Sequence, residues 1–191
     1  MRHSAKGLAV VLLLLPAIAV TLADTLSVPL GTTAYIAGPI RGENRGRALI
    51  AVSLPRAVQI ANIDFACLQI PSPLLTGDGG IVTIQAHTLT TAWDPSNVAW
   101  TRPWRAPGGD IDTTLESSFP TWAGDSHAVW LDITACAKAW QAGRGANGLI
   151  LKRPSHEGGG FAVEGAKLRQ AIASARIKYW FSVVQPPAPE Q

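Results

Sequence analysis

Trp93-Asp94-Pro95, Trp100-Thr101-Arg102-Pro103-Trp104, Gly108-Gly109-Asp110, Trp130-Leu131-Asp132-Ile133-Thr134, Trp140-Gln141-Ala142-Gly143 and Asn147-Gly148-Leu149-Ile150-Leu151-Lys152 follow one another within residues 92–164. Tryptophans, paired glycines and isolated acids stand where turns meet short apolar runs. Runs of strand length separated by Gly, Pro, Asn and Asp describe an antiparallel β-sandwich. The same punctuation continues on both sides. Candidate strands are Thr33–Ile36, Ala48–Leu54, Ile63–Ile70, Ile81–Leu89, Thr113–Ser118, Ala128–Ile133, Gly148–Lys152, Gly160–Glu164 and Ala175–Val183. In the last of these Ala175, Ile177, Tyr179 and Phe181 alternate with Arg176, Lys178, Trp180 and Ser182, the period of a half-buried strand. One helix is expected: Ile133, Cys136, Ala137 and Trp140 recur at helical spacing, Thr134 is placed to cap the start and Gly143 to end it. A further turn is suggested over Lys167–Ser174. The expected fold class is thus all-β, a sandwich of about eight to ten antiparallel strands with one short helix.

The amino terminus reads as a targeting segment. Arg2, His3 and Lys6 precede an apolar run, Leu8–Val20, and Thr21-Leu22-Ala23 offers small residues for a signal peptidase. The run is shorter than the ~20 residues of a membrane span and Pro16 interrupts it. The expectation is a signal peptide over residues 1–23, a domain over 24–184 and a Pro-rich disordered tail over 185–191. The protein would be secreted or periplasmic, with no stable membrane insertion after cleavage. Removing Arg2 and Lys6 from 16 basic residues leaves 14 against 13 acids, a net charge of +1. A balance so close to zero argues against general affinity for nucleic acid. Cys67 and Cys136 are either a disulfide of an exported protein or two small apolar side chains. The alternation of Ala66, Leu68 and Ile70 points Cys67 away from the core, which makes pairing harder.

Over residues 24–183 the chain resembles the DNRLRE (disaggregatase-related) domains, which include carbohydrate-binding modules found beside polysaccharide lyases. That family shows a succession Trp-x-x-Arg-Pro, Gly-Gly-Asp, Asp-Val-Thr, Trp-x-x-Gly, Asn-Gly-Leu-Leu-Leu-Lys. Here Trp100-Thr101-Arg102-Pro103 is one residue shorter, while Asp132-Ile133-Thr134 and Asn147–Lys152 are close matches, and Phe161 with Glu164 resembles a later strand. Ala51 and Ser53 replace a basic residue and an aspartate, and the name-giving hexapeptide is absent. The resemblance implies a jelly-roll β-sandwich and suggests glycan binding. It also marks Trp100, Arg102, Asp132, Trp140 and Glu164 as a structural signature, with Arg102 expected as a partly buried guanidinium held by Asp132 or Glu164.

Ligand contacts are expected from residues that break the inward pattern. Val129 and Leu131 read as the buried set of their strand, which turns Trp130 outward; Arg176, Lys178 and Trp180 occupy the polar register of theirs; Trp122 follows Pro120 in a loop-like stretch. An exposed indole stacks on the apolar face of a sugar ring, and a neighbouring base binds carboxylate or sulfate. Arg41, Arg45 and Arg47, with Gly42 and Gly46, form a second basic patch. Asp110 and Asp112 are weak calcium candidates and the sole suggestion of a cofactor. No zinc spacing, phosphate loop, dinucleotide fingerprint or nucleophile elbow occurs, so the expectation is no enzyme. The expected partner is a polysaccharide or cell-envelope glycan, plausibly an acidic one. The alternative is a structural or adhesive cell-surface or matrix protein that self-associates or meets another protein.

Overall fold

Alternation along each strand decides which side chains meet, and the meeting produces two layers. The computed structural model describes residues 20–40, 43–70, 81–122, 128–155, 161–162 and 170–185. The strands are β1 (Val20–Pro29), β2 (Thr33–Ile40), β3 (Glu43–Ile50), β4 (Asn62–Ile70), β5 (Ile81–Leu89), β6 (Ile111–Trp122), β7 (Val129–Asp132), β8 (Leu149–Lys152), β9 (Phe161–Ala162) and β10 (Arg176–Gln185). One sheet has the order β1-β10-β4-β7; the other has β2-β3-β8-β5-β6, with β9 pairing β3, and every pairing is antiparallel. With the β2–β3 hairpin counted as one position and β9 set aside, the orders become first-eighth-third-sixth and second-seventh-fourth-fifth. That interleaving of two Greek keys is a jelly roll.

Ala66, Leu68 and Ile70 of β4, Val129 and Leu131 of β7, and Ile177, Tyr179 and Phe181 of β10 face Ala48 and Ile50 of β3, Ile84 and Ala86 of β5, and Leu149 and Leu151 of β8. All are buried, each large side chain contributing about 1.5–3 kcal/mol on leaving water. The helical segments are α1 (Arg56–Gln59), which the sequence reading did not expect, α2 (Thr134–Gln141), the expected helix, and a turn over 170–173 inside the stretch suggested for one. In α2, Cys136, Ala137 and Trp140 are buried as the spacing predicts. Thr134, however, is its first helical residue and not its cap. Asp132 Oδ1 accepts the Thr134 N–H at 2.9 Å and its hydroxyl at 2.6 Å. At the far end Gly143, φ 74°, donates to Trp140 O and Arg144 to Ala139 O, the Schellman arrangement that a left-handed residue permits.

Both cysteines are free and buried. Cys136 belongs to the core between the sheets, whereas Cys67 is on the outer side of β4. β1 begins at Val20, within the segment read as leader, and β10 ends at Gln185, the first residue read as tail. Among the described residues no helix is long and apolar enough to cross a membrane.

Candidate functional site

The outer face of the four-stranded sheet collects the residues that alternation turns away from the core. On β10 these are Arg176, Lys178 and Trp180, and on β7 Trp130 and Asp132. On β4 they are Phe65, Cys67 and Gln69; beyond Phe65 the residue Asp64 is extra, so Trp180 pairs Phe65 while Phe181 pairs Ile63. The bulge returns Ile63 to the core, where plain alternation would have left it on the same side as Phe65. Register then aligns three rows across the face. Ser27, Lys178, Cys67 and Asp132 form one, Pro29, Arg176, Gln69 and Trp130 the next, and Thr25, Trp180 and Phe65 the third.

Two contacts organise these rows. Lys178 Nζ lies 4.9 Å from the centroid of the Trp130 ring, having crossed β4 to reach it. Phe65 and Trp180 stack at 5.2 Å with a 46° tilt. Trp130 is 40% exposed and Phe65 39%, Arg176 is exposed, and Lys178 and Trp180 are half-buried. Cys67 is covered completely, since the Lys178 side chain passes over its strand between Lys178 and Asp132. Burial pushes its thiol above the ordinary value, with Lys178 opposing, so Cys67 is poorly suited to act as a nucleophile. The face offers two aromatic surfaces, two bases, an amide and one carboxylate across four strands, a width of roughly 14 Å.

Trp130, Arg176, Lys178 and Trp180 are therefore brought together, as alternation predicted. Trp122 is not among them. It ends β6 in the other sheet, opposite Ile81, because the stretch after Pro120 continues as strand and not as loop. Phe65 belongs to the face by the same alternation that turns Cys67 outward, although it was not among the expected contacts.

The signature residues do other work. Residues 93–111 lie over the outer face of the six-stranded sheet, where Trp93, Val98, Trp100, Trp104 and Ile111 pack on Ile36, Leu49, Leu89 and Ile150. Trp104 Nε1 donates to Ala99 O at 2.9 Å and Trp93 Nε1 to Asn147 O at 2.8 Å. The buried guanidinium expected at Arg102 is found instead at Arg47. Arg102 is exposed, whereas Arg47 Nη1 donates to Gly108 O at 2.6 Å and its guanidinium carbon lies 5.0 Å from the Trp100 ring centroid. Burial lowers the Arg47 pKa from its ordinary value. Arg45 is half-buried on β3 opposite Gly38, so the arginines of β3 do not make an open basic loop. Arg41 and Glu164 lie outside the described residues. Asp132 is exposed beside α2, and Trp140 is buried as expected.

The calcium candidates are occupied by their own loops. Asp110 accepts from the Arg105 and Ala106 N–H groups and from Thr91 Oγ1, and Asp112 Oδ1 accepts from Thr114 N–H and Oγ1. No group of three or more His, Cys, Asp or Glu side chains suited to a metal occurs among the described residues. Comparison of the chain with protein-family models and with curated proteins finds no match, so the DNRLRE resemblance rests on the residues that carry it.

Proposed function

We propose that this chain is an exported, non-catalytic module that binds a polysaccharide, preferably an anionic one, on the outer face of its four-stranded sheet. The observation that carries the reading is the Lys178 ammonium set over the half-exposed Trp130 ring, with Arg176 and Trp180 on the same strand face. A pyranose stacks its C–H face on indole, and the two bases bind its carboxylate or sulfate through charge-assisted hydrogen bonds. Affinity-gel electrophoresis against a uronic-acid polymer tests this. Retardation is expected to weaken with salt and to fall at least several-fold in Trp130→Ala and Lys178→Ala. Equal retardation of both variants and the native chain would refute it.

A second reading, contact with a protein or a second copy of the chain, is favoured by Phe65. This ring is as exposed as Trp130 and extends the apolar part of the face toward Trp180. Sedimentation without added glycan distinguishes it: concentration-dependent self-association lost in Phe65→Ser supports the protein contact.

A further inference from the structure

Three neighbouring strands of the six-stranded sheet bring Lys152 of β8, Gln85 and His87 of β5, and Glu116 of β6 onto its outer face. Gln85 and Lys152 are direct cross-strand partners, and so are His87 and Glu116. Lys152 Nζ donates to Gln85 Oε1 at 2.9 Å, and His87 Nε2 lies 3.5 Å from the same oxygen. On its other side the carboxamide donates through Nε2 to Glu116 Oε1. One amide group is thus held between an amine, an imidazole at its oxygen and a carboxylate at its nitrogen.

The surroundings favour reaction over a simple hydrogen-bonded chain. Lys152 is 7% exposed and His87 2%, while Glu116 at the rim is open to solvent. Lys152 Nζ makes its hydrogen bond to a neutral amide and, among the described residues, to no carboxylate; removal from water then favours the uncharged, nucleophilic amine, against the more distant Glu116 charge. Holding that amine beside its target replaces a bimolecular encounter by a unimolecular step.

We propose that the folded chain joins Lys152 to Gln85 through an intramolecular isopeptide bond, with release of ammonia. The Lys152 Nζ lone pair adds to Gln85 Cδ, forming the new C–N bond and moving the carbonyl electron pair onto Oε1. His87, in the tautomer carrying its proton on Nε2, donates to that oxyanion. The surplus proton on the attacking nitrogen passes to the Glu116 carboxylate, which delivers it to the departing Gln85 nitrogen. The Cδ–Nε2 bond breaks, the carbonyl re-forms, ammonia leaves past the exposed Glu116, and Glu116 ends as the carboxylate it began. No oxidant, reductant or water is consumed. The product ties β5 to β8, adjacent inner strands of that sheet, and stands independently of any glycan on the opposite layer.

Intact mass of the folded, incubated chain tests this, with the first residue fixed from its N-terminal peptide. The expected mass is one ammonia below that of the sequence, and fragmentation of a digest is expected to give a branched peptide joining Gln85 to Lys152. Lys152→Arg should retain the full mass. Should that variant not fold, Glu116→Ala at the exposed rim provides the second arm, with cross-linking slowed at least tenfold. A folded native chain at full mass overturns the proposal, as does an ammonia loss mapped elsewhere, for example to Asn147-Gly148. A Glu116→Ala chain that cross-links at the native rate overturns the proton transfer assigned to Glu116.

Discussion

Replacing Arg47 by alanine removes a polar side chain of β3 that reaches the covering segment at two points, Trp100 and Gly108. The hydrogen bond to Gly108 O is charge-assisted, short and half-buried, worth about 1.5–3 kcal/mol, and its loss leaves a carbonyl without that donor. The guanidinium over Trp100 adds about 0.5–2 kcal/mol. Together the expected loss is about 2–5 kcal/mol, which for a domain of this size lowers Tm by roughly 4–20 °C. Arg102→Ala is the internal comparison: that side chain is exposed, and its removal should stay within about 0.5 kcal/mol. Arg47→Lys keeps the charge without the planar fork and should fall between them. Urea unfolding followed by tryptophan fluorescence reads all three. If Arg47→Ala and Arg102→Ala were equally mild, or Arg102→Ala were the more damaging, the assignment of the anchoring guanidinium to Arg47 would be refuted.

Two further outcomes follow from buried geometry. Burial above all holds the His87 imidazole below its ordinary pKa of 6.5, with Glu116 and the Asp112 backbone opposing. The unfolded chain therefore takes up that proton more readily, so the contribution of His87 is complete above pH 6.5 and is lost as pH falls below it. His87→Gln should flatten this acid-side decline in a pH series of urea melts; an unchanged slope would sink the assignment. Gly143 and Gly148 both have positive φ, but an added Cβ meets nothing within 4 Å at Gly143 and lies 2.1 Å from the Ile50 carbonyl oxygen at Gly148. Gly143→Ala should therefore cost about 1 kcal/mol from backbone conformation alone. Gly148→Ala should cost at least twice that by thermal melting, and equal losses would contradict the close approach.

The sheet framework was legible where alternation ran uninterrupted. β5 is bounded as expected because Asp78-Gly79-Gly80 precedes an alternating run whose inward members are Ile84 and Ala86. On β7, Val129 and Leu131 gave the orientation of Trp130 directly, and four of the five expected ligand contacts came from such parity. Phe65 shares the outward parity of Cys67 and Gln69 and could have been read from it; what was hidden is the inward turn of Ile63, since one extra residue at Asp64 reverses parity there and nothing in Ile63-Asp64-Phe65-Ala66 announces a bulge. β1 was hidden for another reason: its first residues, Val20-Thr21-Leu22-Ala23, have the apolar and small side chains of a leader's end. The exchange of roles between Arg47 and Arg102 was beyond reach, since it depends on how residues 93–111 lie across a sheet whose strands are distant in sequence. The cross-strand meeting of Gln85 with Lys152 has the same origin, being set by register between segments far apart in the chain.

The order β1-β10-β4-β7 has a consequence for how the domain is held. Val20 sits opposite Gln185, so the first residue of β1 and the last of β10 lie side by side at one end of the sheet. A force applied to the chain at either of these two residues would load the same seam between β1 and β10. Trp130 is on β7, the farthest strand from that seam, in the row of Arg176 at the opposite end of β10 from Gln185, so the indole stands diagonally across the sheet from that point of load while its lysine reaches over from the seam strand itself.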